Sequence, residues 1–286
     1  MLQDLFEIYV KERQVINNLA TRTIECYRLA FRRYQLALKD KAEELPTEGS
    51  LKVYVVAMRE SELAPTTCNI SIRAFNAFLS WLQENHQIPA RLRIKQLKEE
   101  KRSIKSYSDE EINRILSYKP RDFYGWRLYA IICTLIDTGA RIDEVLGLRR
   151  DRVDFDNLLL TIKGKGDKER IVPFSPELLK TLYRYDRKNT HSNVWFFTTT
   201  TGSRLTYQNF AKEWHRFCKA VRIEYRSFHK LRHNFGLNFI RQGGDISELR
   251  RLMGHSSITT TQLYINLQTE DLKRAHAKTS ILSRLK

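Results

Sequence analysis

The sequence has few cysteines, and they are not arranged to form a site. Only four occur among 286 residues, with no CxxC pair and no histidine cluster beside them. They are Cys26, Cys68, Cys133 and Cys218. This spacing argues against a structural zinc site and against a disulfide framework, and it fits a reducing compartment. We therefore expect neither a bound metal nor a disulfide.

Long apolar runs are missing as well. The longest, from Leu128 to Ile136, is far shorter than the roughly 20 residues that span a bilayer as a helix. The N-terminal segment carries acidic residues where a secretory signal needs a basic end and an unbroken apolar stretch. We expect a soluble, cytoplasmic protein with no membrane partner.

Motifs that hold a catalytic metal or a nucleotide are also lacking. The sequence has no HExxH motif and no group of aspartates at ligand spacing. Segment 164–170, GKGDKER, has glycines and lysines, but it lacks the Walker A spacing and the final Ser or Thr. We therefore expect no cofactor, and chemistry carried by side chains alone.

Acidic residues are too few to balance the basic ones. Fifty Lys and Arg against 33 Asp and Glu leave a formal charge of +17. Such a surplus is typical of proteins that bind a polyanion, usually nucleic acid. On charge alone, a basic protein without a nucleic-acid role remains the alternative. The length suits about two domains.

The first 90 residues read as a bundle of about four helices. In the stretch 21–39 the apolar residues recur at three- and four-residue steps, which is one face of a helix. Pro65 opens a later helix at its first turn. Residues 1–90 are thus predicted to form a helical domain. The basic stretch 91–105, which follows Pro89, is predicted to be an interdomain linker lying on or near the polyanion.

Residues 106–286 are predicted to form a second, mainly helical domain. It opens with a capping box, Ser108 and Glu111. The periodicity changes from helical to strand over 153–173, which indicates a small antiparallel sheet with a GKGD turn. The basic, amphipathic tail 271–286 could pack on its own domain or dock on a neighbouring subunit. The fold class is therefore mostly α, in two domains.

Two basic residues in the second domain lie where they could meet a phosphate. Arg141 follows Thr138-Gly139-Ala140 at a helix junction, where its fork could bind phosphate and Glu144 could orient it. Taken alone, this is equally a surface ion pair. Lys165 lies between two glycines, and a mobile turn could deliver it as a proton donor. Taken alone, it is an ordinary lysine of an exposed turn.

A second group runs from His229 to Tyr264. His229 and Arg232 are three apart, so they share one face of a helix. His233 is expected to point elsewhere and to be structural, or at most to support the residues that contact the phosphate. His255 follows Gly254, the predicted end of a helix. Tyr264 is one of 13 tyrosines and is unremarkable alone.

The combination is more informative than its members. Two arginines, a lysine, two histidines and a tyrosine are the groups needed to transfer a phosphodiester without a metal. The cations neutralise the phosphorane, the tyrosine attacks phosphorus, and the lysine protonates the leaving oxygen.

Four motifs resemble the tyrosine recombinases, the phage integrase family. They are TGARIDEVLGLR, KGKGDKERIVPF, HKLRH and LMGHSSITTTQLY, in the family's order and spacing. The resemblance covers nearly all of 105–270, and it extends more loosely to the N-terminal helices. It implies a SAM-like core-binding bundle followed by a catalytic domain. Asp143 stands where many members carry Ser, outside the six catalytic positions.

The resemblance implies a role for each candidate. Arg141 and Arg232 would grip the scissile phosphate, and Lys165 would be the general acid to the 5′ oxygen. His229 would assist Tyr264 as proton acceptor.

His255 would hydrogen-bond the phosphate, and Tyr264 would form a 3′-phosphotyrosyl bond. The partner would be a double-stranded DNA recombination site, clamped by both domains with the linker crossing it. Four protomers would assemble on two sites, each donating its segment after Tyr264 to a neighbour. No ATP would be needed.

Other interpretations remain. A type IB topoisomerase shares this chemistry but rejoins the same strand, and a non-catalytic DNA-binding protein could keep the fold. Within the family, the chain begins at the core-binding helices, so we expect no arm-binding domain. This favours a simple recombinase. The tail AHAKTSILSRLK differs from the usual ending of the chromosomal enzymes, which favours mobile-element resolution or integration, with a chromosome-dimer resolving recombinase as the alternative.

Overall fold

A computed structural model describes residues 1–39, 44–88, 91–99, 106–164, 169–191 and 194–254. The described residues fall into two compact units, one within Met1–Ser103 and one within Ile104–Lys286. None of the described helices is long and apolar enough to cross a membrane.

The first unit contains the predicted four helices. They are α1 (Leu2–Val15), α2 (Thr21–Leu38), α3 (Glu48–Glu60) and α4 (Pro65–Glu84). Pro65 occupies the first turn of α4, as predicted. The core is aromatic: the Phe6 and Phe31 rings stack with centroids 3.9 Å apart, and Phe78 meets Phe6 edge-on at 5.2 Å. Apolar faces from separate helices thus enclose one core.

Residues 91–99, the described part of the predicted linker, are bound to α4 by two asparagines. The Asn76 side chain donates to Ile94 O and accepts from Ile94 N, both at 2.9 Å. Asn69 bonds Leu97 in the same way, at 2.9 and 2.8 Å. Ile94 is buried in the core of this unit. These asparagines satisfy backbone groups of a segment that has no regular secondary structure.

The second unit is mainly helical with a small antiparallel sheet, as predicted. Its helices are α5 (Asp109–Leu116), α6 (Phe123–Thr138), α7 (Ile142–Leu146), α8 (Pro176–Lys188), α9 (Tyr207–Ala220), α10 (His229–Arg241) and α11 (Ile246–Met253). Its strands are β1 (Val153–Asp154), β2 (Leu159–Lys163) and β3 (Glu169–Pro173), in the order β1-β2-β3. Leu160 pairs with Val172, and both are buried.

Local signals fix the helix ends. The Ser108 hydroxyl accepts from Glu111 N, and the Glu111 carboxylate accepts from Ser108 N, so the predicted capping box is present. Gly139 ends α6 and Gly254 ends α11, both in the left-handed conformation. A backbone position with φ near +60° favours glycine, because a residue with a side chain is strained in that conformation.

Helix α6 is the centre of the second unit. It contacts α7, α8, α9 and α10, and Ile131, Ile132 and Leu135 are fully or almost fully buried. This packing brings the end of α6 against α10. The junction that follows α6 and carries Arg141 therefore lies beside the start of α10, which carries His229 and Arg232.

Candidate active site

The structure describes three of the six candidate residues and brings them together. Arg141 is the N-cap of α7, and His229 and Arg232 lie in the first turn of α10. Lys165, His255 and Tyr264 lie outside the described residues. The site is therefore built here from its two arginines, one histidine and the groups that hold them.

Arg232 is buried and joins the ends of two helices. Its Nη1 donates to the carbonyl of Gly139, at the end of α6, at 2.5 Å. Its Nη2 donates to the carbonyl of Met253, at the end of α11, at 2.6 Å. The last carbonyls of a helix lack intrahelical partners and carry the negative end of its dipole. They help to compensate a guanidinium that is only 2% exposed.

Arg141 is held by Glu144 and remains partly accessible. The Glu144 carboxylate accepts from Arg141 N at 2.7 Å and from Arg141 Nη1 at 2.9 Å. The Arg141 side chain is 37% exposed, whereas that of Glu144 is only 5% exposed. The predicted contact between Glu144 and Arg141 is therefore present, and it is not an exposed surface pair, because the carboxylate is buried.

A third arginine, which the sequence analysis missed, completes this cluster. Arg170 of β3 donates from Nη1 and Nη2 to the two carboxylate oxygens of Glu144, at 2.9 and 2.7 Å. Burial alone would raise the pKa of Glu144, but hydrogen bonds from Arg170 and Arg141 outweigh it and hold the pKa below its ordinary value. The only signal in the sequence was a charged residue in a strand, inside the motif KGKGDKERIVPF.

The three arginines converge on the end of α11. Each donates to one of three consecutive carbonyls. The bonds are Arg170 Nε to Leu252 O at 2.9 Å, Arg232 Nη2 to Met253 O at 2.6 Å, and Arg141 Nη2 to Gly254 O at 3.1 Å. The sheet and two helix junctions are thereby tied to one helix end.

His229 lies beside the two candidate phosphate-binding arginines. Burial, followed by the positive charges of Arg232, Arg141 and Lys230, lowers its pKa from the ordinary value. A neutral imidazole can accept a proton. The His233 ring meets that of His229 edge-on, with centroids 5.2 Å apart. His233 therefore neighbours His229, which agrees with the prediction that it acts at most as a residue supporting the site.

The arrangement provides fixed positive charge and a proton acceptor at one place. Arg141 is partly accessible to an anion, and the buried Arg232 adds a second positive charge that the helix ends hold in place. Fixed charge of this kind stabilises a charged transition state. Among the described residues, no group of three metal-ligating side chains occurs.

Comparison with known proteins identifies the class. The model of the phage integrase family matches residues 105–271, more than half of the chain. The chain therefore belongs to the phage integrase family, whose members are tyrosine recombinases, enzymes that cleave and rejoin DNA.

The chain is similar to two tyrosine recombinases over most of their length. It is 29% identical over 276 residues to tyrosine recombinase XerD of Ralstonia nicotianae, covering 92% of this chain and 89% of that protein. It is 27% identical over 247 residues to XerA of Pyrococcus furiosus, covering 84% and 83%.

Solved structures share the fold. The Tn1549 transposon integrase in complex with transposon right end DNA gives a TM-score of 0.77 at 19% identity, covering 96% of this chain and 98% of that one. The XerH site-specific recombinase bound to palindromic difH gives 0.74 at 19% identity, covering 97% and 84%.

Proposed function

We propose that this chain is a site-specific recombinase that cleaves duplex DNA through Tyr264. The observation that carries the proposal is the convergence of Arg141 and Arg232 on the end of α11. Tyr264 follows that helix end by only ten residues, from Gly254. The arginines bind the scissile phosphate, and the chain that leaves α11 supplies the nucleophile.

The proposed reaction balances without an external energy source. The Tyr264 hydroxyl oxygen attacks phosphorus, its proton passes to His229, and the bond from phosphorus to the 5′ oxygen breaks. Lys165 donates a proton to that leaving oxygen. A 5′ hydroxyl of the partner duplex then attacks the phosphorus of the 3′-phosphotyrosyl group and gives its proton back to Lys165. The bond from phosphorus to the Tyr264 oxygen breaks, and His229 returns the proton to that oxygen. His255 hydrogen-bonds the phosphate in both steps.

The proposed partner is a double-stranded DNA recombination site. The charge of +17 supports it, as do the Tn1549 and XerH structures, which are bound to DNA. We further propose that residues 1–90 and 106–286 clamp the duplex, with 91–105 between them. Four protomers would pair two sites, with the segment 271–286 exchanged between neighbours.

The biological role that we favour is resolution or integration of a mobile element. The likeness to a transposon integrase supports this role. The Xer names of the sequence relatives support the alternative, a chromosome-dimer resolving recombinase. A recombination assay distinguishes the two roles. Recombination between paired sites taken from the DNA beside the gene supports the mobile-element role, whereas recombination between chromosomal sites supports the chromosome-dimer role.

The experiment requires a DNA site. Purified Tyr264→Phe protein, which keeps the charge but lacks the nucleophile, is used to select bound duplexes from a random library. The recovered site is then built into a nicked suicide substrate, in which cleavage releases a short strand and traps the enzyme. Wild type should form a covalent adduct and Tyr264→Phe none.

Two controls sharpen this test. Tyr183→Phe changes an exposed tyrosine of α8 and should leave adduct formation unchanged. Mixing two labelled duplexes tests for recombinants, because a type IB topoisomerase would relax supercoils without exchanging partners. A wild-type protein that binds the site but forms no adduct would instead be a non-catalytic DNA-binding protein.

A further inference from the structure

Arg170 has no role in the proposed reaction, yet its guanidinium binds the carboxylate that holds Arg141. We propose that Arg170 is a positioning residue, which fixes the buried Glu144 carboxylate and thereby presents Arg141 to the scissile phosphate. This inference rests on the proposed function of Arg141.

The geometry of Glu144 supports the assignment. Each of its carboxylate oxygens accepts two hydrogen bonds, one from Arg141 and one from Arg170. The Oε1 donors are Arg141 Nη1 and Arg170 Nη1, and the Oε2 donors are Arg141 N and Arg170 Nη2. The Arg170 side chain is 14% exposed and that of Glu144 is 5% exposed. A bidentate pair with this little solvent holds its geometry closely.

Charge explains why the bidentate pair matters for Arg141. With Glu144 alone, the Arg141–Glu144 pair is neutral and has little attraction for a phosphate. With Arg170 added, two positive charges face one negative charge, and one positive charge remains. Because the carboxylate is shared, Arg141 keeps an Nη group for another acceptor, which is now the Gly254 carbonyl.

The third donor of Arg170 ties this arrangement to the neighbouring helix end. Its Nε bonds Leu252 O, one residue before the carbonyl that Arg232 holds. A β-carbon at Gly254 would lie 3.0 Å from Arg170 Nη1, so the guanidinium is packed against the end of α11. Arg170 therefore links Glu144, which holds Arg141, to the helix end that Arg232 also binds.

The test compares Arg170→Gln with wild type on the suicide substrate. We expect adduct formation to slow by about 10- to 100-fold, the usual effect of removing an orienting partner, with DNA affinity changed by less than about threefold. Arg152→Gln is the matched control, because Arg152 forms an exposed pair with Glu169, the residue before Arg170. It should cleave at the wild-type rate.

Two readouts separate positioning from a merely structural role. In a double-mutant cycle, adding Glu144→Gln to the Arg170→Gln protein should slow adduct formation much less than Glu144→Gln slows it in wild type, because both changes remove the same support of Arg141. A methylphosphonate at the scissile position, which lacks one phosphate charge, should narrow the gap between Arg170→Gln and wild type. If Arg170→Gln does not fold, Arg170→Lys, which keeps the charge but loses the fork, takes its place in both comparisons.

The outcomes distinguish this inference from the function on which it rests. No adduct with wild type would overturn the proposed function. Only the role of Arg170 would be overturned if wild type forms adducts, Arg141→Gln does not, and Arg170→Gln forms them at the wild-type rate. A slow Arg170→Gln whose effect adds in full to that of Glu144→Gln, and which the methylphosphonate leaves unchanged, would make Arg170 structural and also overturn it.

Discussion

Gly139 and Phe235 are packed so closely that position 139 has no room for a β-carbon. Such an atom would lie 2.3 Å from Cδ1 of the Phe235 ring, and the backbone there has a φ of +61°. Gly139→Ala should therefore lower the free energy of unfolding, by about 1 kcal/mol for the left-handed backbone and by about 1–3 kcal/mol for the overlap. Urea unfolding measures the total.

Gly243→Ala separates the cost of the left-handed backbone from the cost of the overlap with a neighbouring side chain. Gly243 also has a positive φ, +89°, but nothing lies within 4 Å of its would-be β-carbon. The Gly243→Ala protein should lose only the part of the free energy of unfolding that the left-handed backbone accounts for, and it should cleave DNA at the wild-type rate. Because Gly139 O accepts from Arg232, Gly139→Ala should cleave more slowly as well. Equal destabilisation by the two variants would contradict the proposed close packing.

The lowered pKa of His229 predicts its titration in the DNA-free protein. Burial and the charges of Arg232, Arg141 and Lys230 oppose protonation, so an NMR titration should place its midpoint below the ordinary value of about 6.5. Lys230→Gln removes one of those charges and should move the midpoint upward. A wild-type midpoint above 6.5 would contradict this arrangement.

The lowered pKa of His229 also determines the direction in which the stability of the protein changes with pH. Because the folded-state pKa of His229 lies below that of the unfolded chain, protons bind the unfolded chain more readily. The contribution of His229 to stability is therefore fully present above about pH 6.5 and is lost as the pH falls. His229→Gln should flatten this part of the stability profile, which urea unfolding at several pH values measures.

The hydrogen bonds of Asn69 predict how strongly residues 91–99 are held to the rest of the first unit. Its amide donates to Leu97 O and Glu99 Oε1 and accepts from Leu97 N, and it is buried. Asn69→Asp keeps the acceptor, loses the donors and faces Glu99 with a second carboxylate. We expect a loss of about 1–3 kcal/mol, with faster hydrogen exchange at Leu97 N.

Asn17→Asp is the control for that change. The Asn17 side chain is an exposed acceptor of a hydrogen bond from Arg13, and a carboxylate can accept the same bond. Its stability should stay within about 0.5 kcal/mol of wild type. If the two variants were equally stable, the asparagine contacts would not hold the segment.

The charge surplus predicts a steep dependence of DNA binding on salt. A protein that neutralises about 6–10 phosphates loses roughly a thousandfold or more in affinity between about 50 and 200 mM salt. We expect a loss of this order for the Tyr264→Phe protein, whose binding is measured without cleavage by fluorescence anisotropy. A flat response would contradict a clamp that follows the phosphate backbone.

Features set by neighbouring residues could be predicted from the sequence. The capping box at Ser108 and the helix ends at Gly139 and Gly254 are local, because a cap depends on a few adjacent residues. Helical periodicity located α2, and the change to strand periodicity located the small sheet. The motifs supplied the candidate residues and the family.

Contacts between distant parts of the chain could not be predicted. Arg170 and Glu144 are 26 residues apart, and Arg232 and Gly139 are 93 apart. Their meeting depends on how α6, α10 and β3 pack, which no local pattern encodes. Asn69 reads as a polar surface residue of an amphipathic helix, although a distant segment covers it. Lys165, His255 and Tyr264 stay predictions, since they lie outside the described residues.

The central claim is that Tyr264 becomes covalently bound to DNA. Mass spectrometry of peptides from the trapped suicide complex, after nuclease digestion, tests it most directly. We expect a nucleotide joined through a 3′ phosphate to Tyr264, and no such peptide from Tyr264→Phe protein. A nucleotide on any other residue, or an adduct that survives Tyr264→Phe, would contradict it.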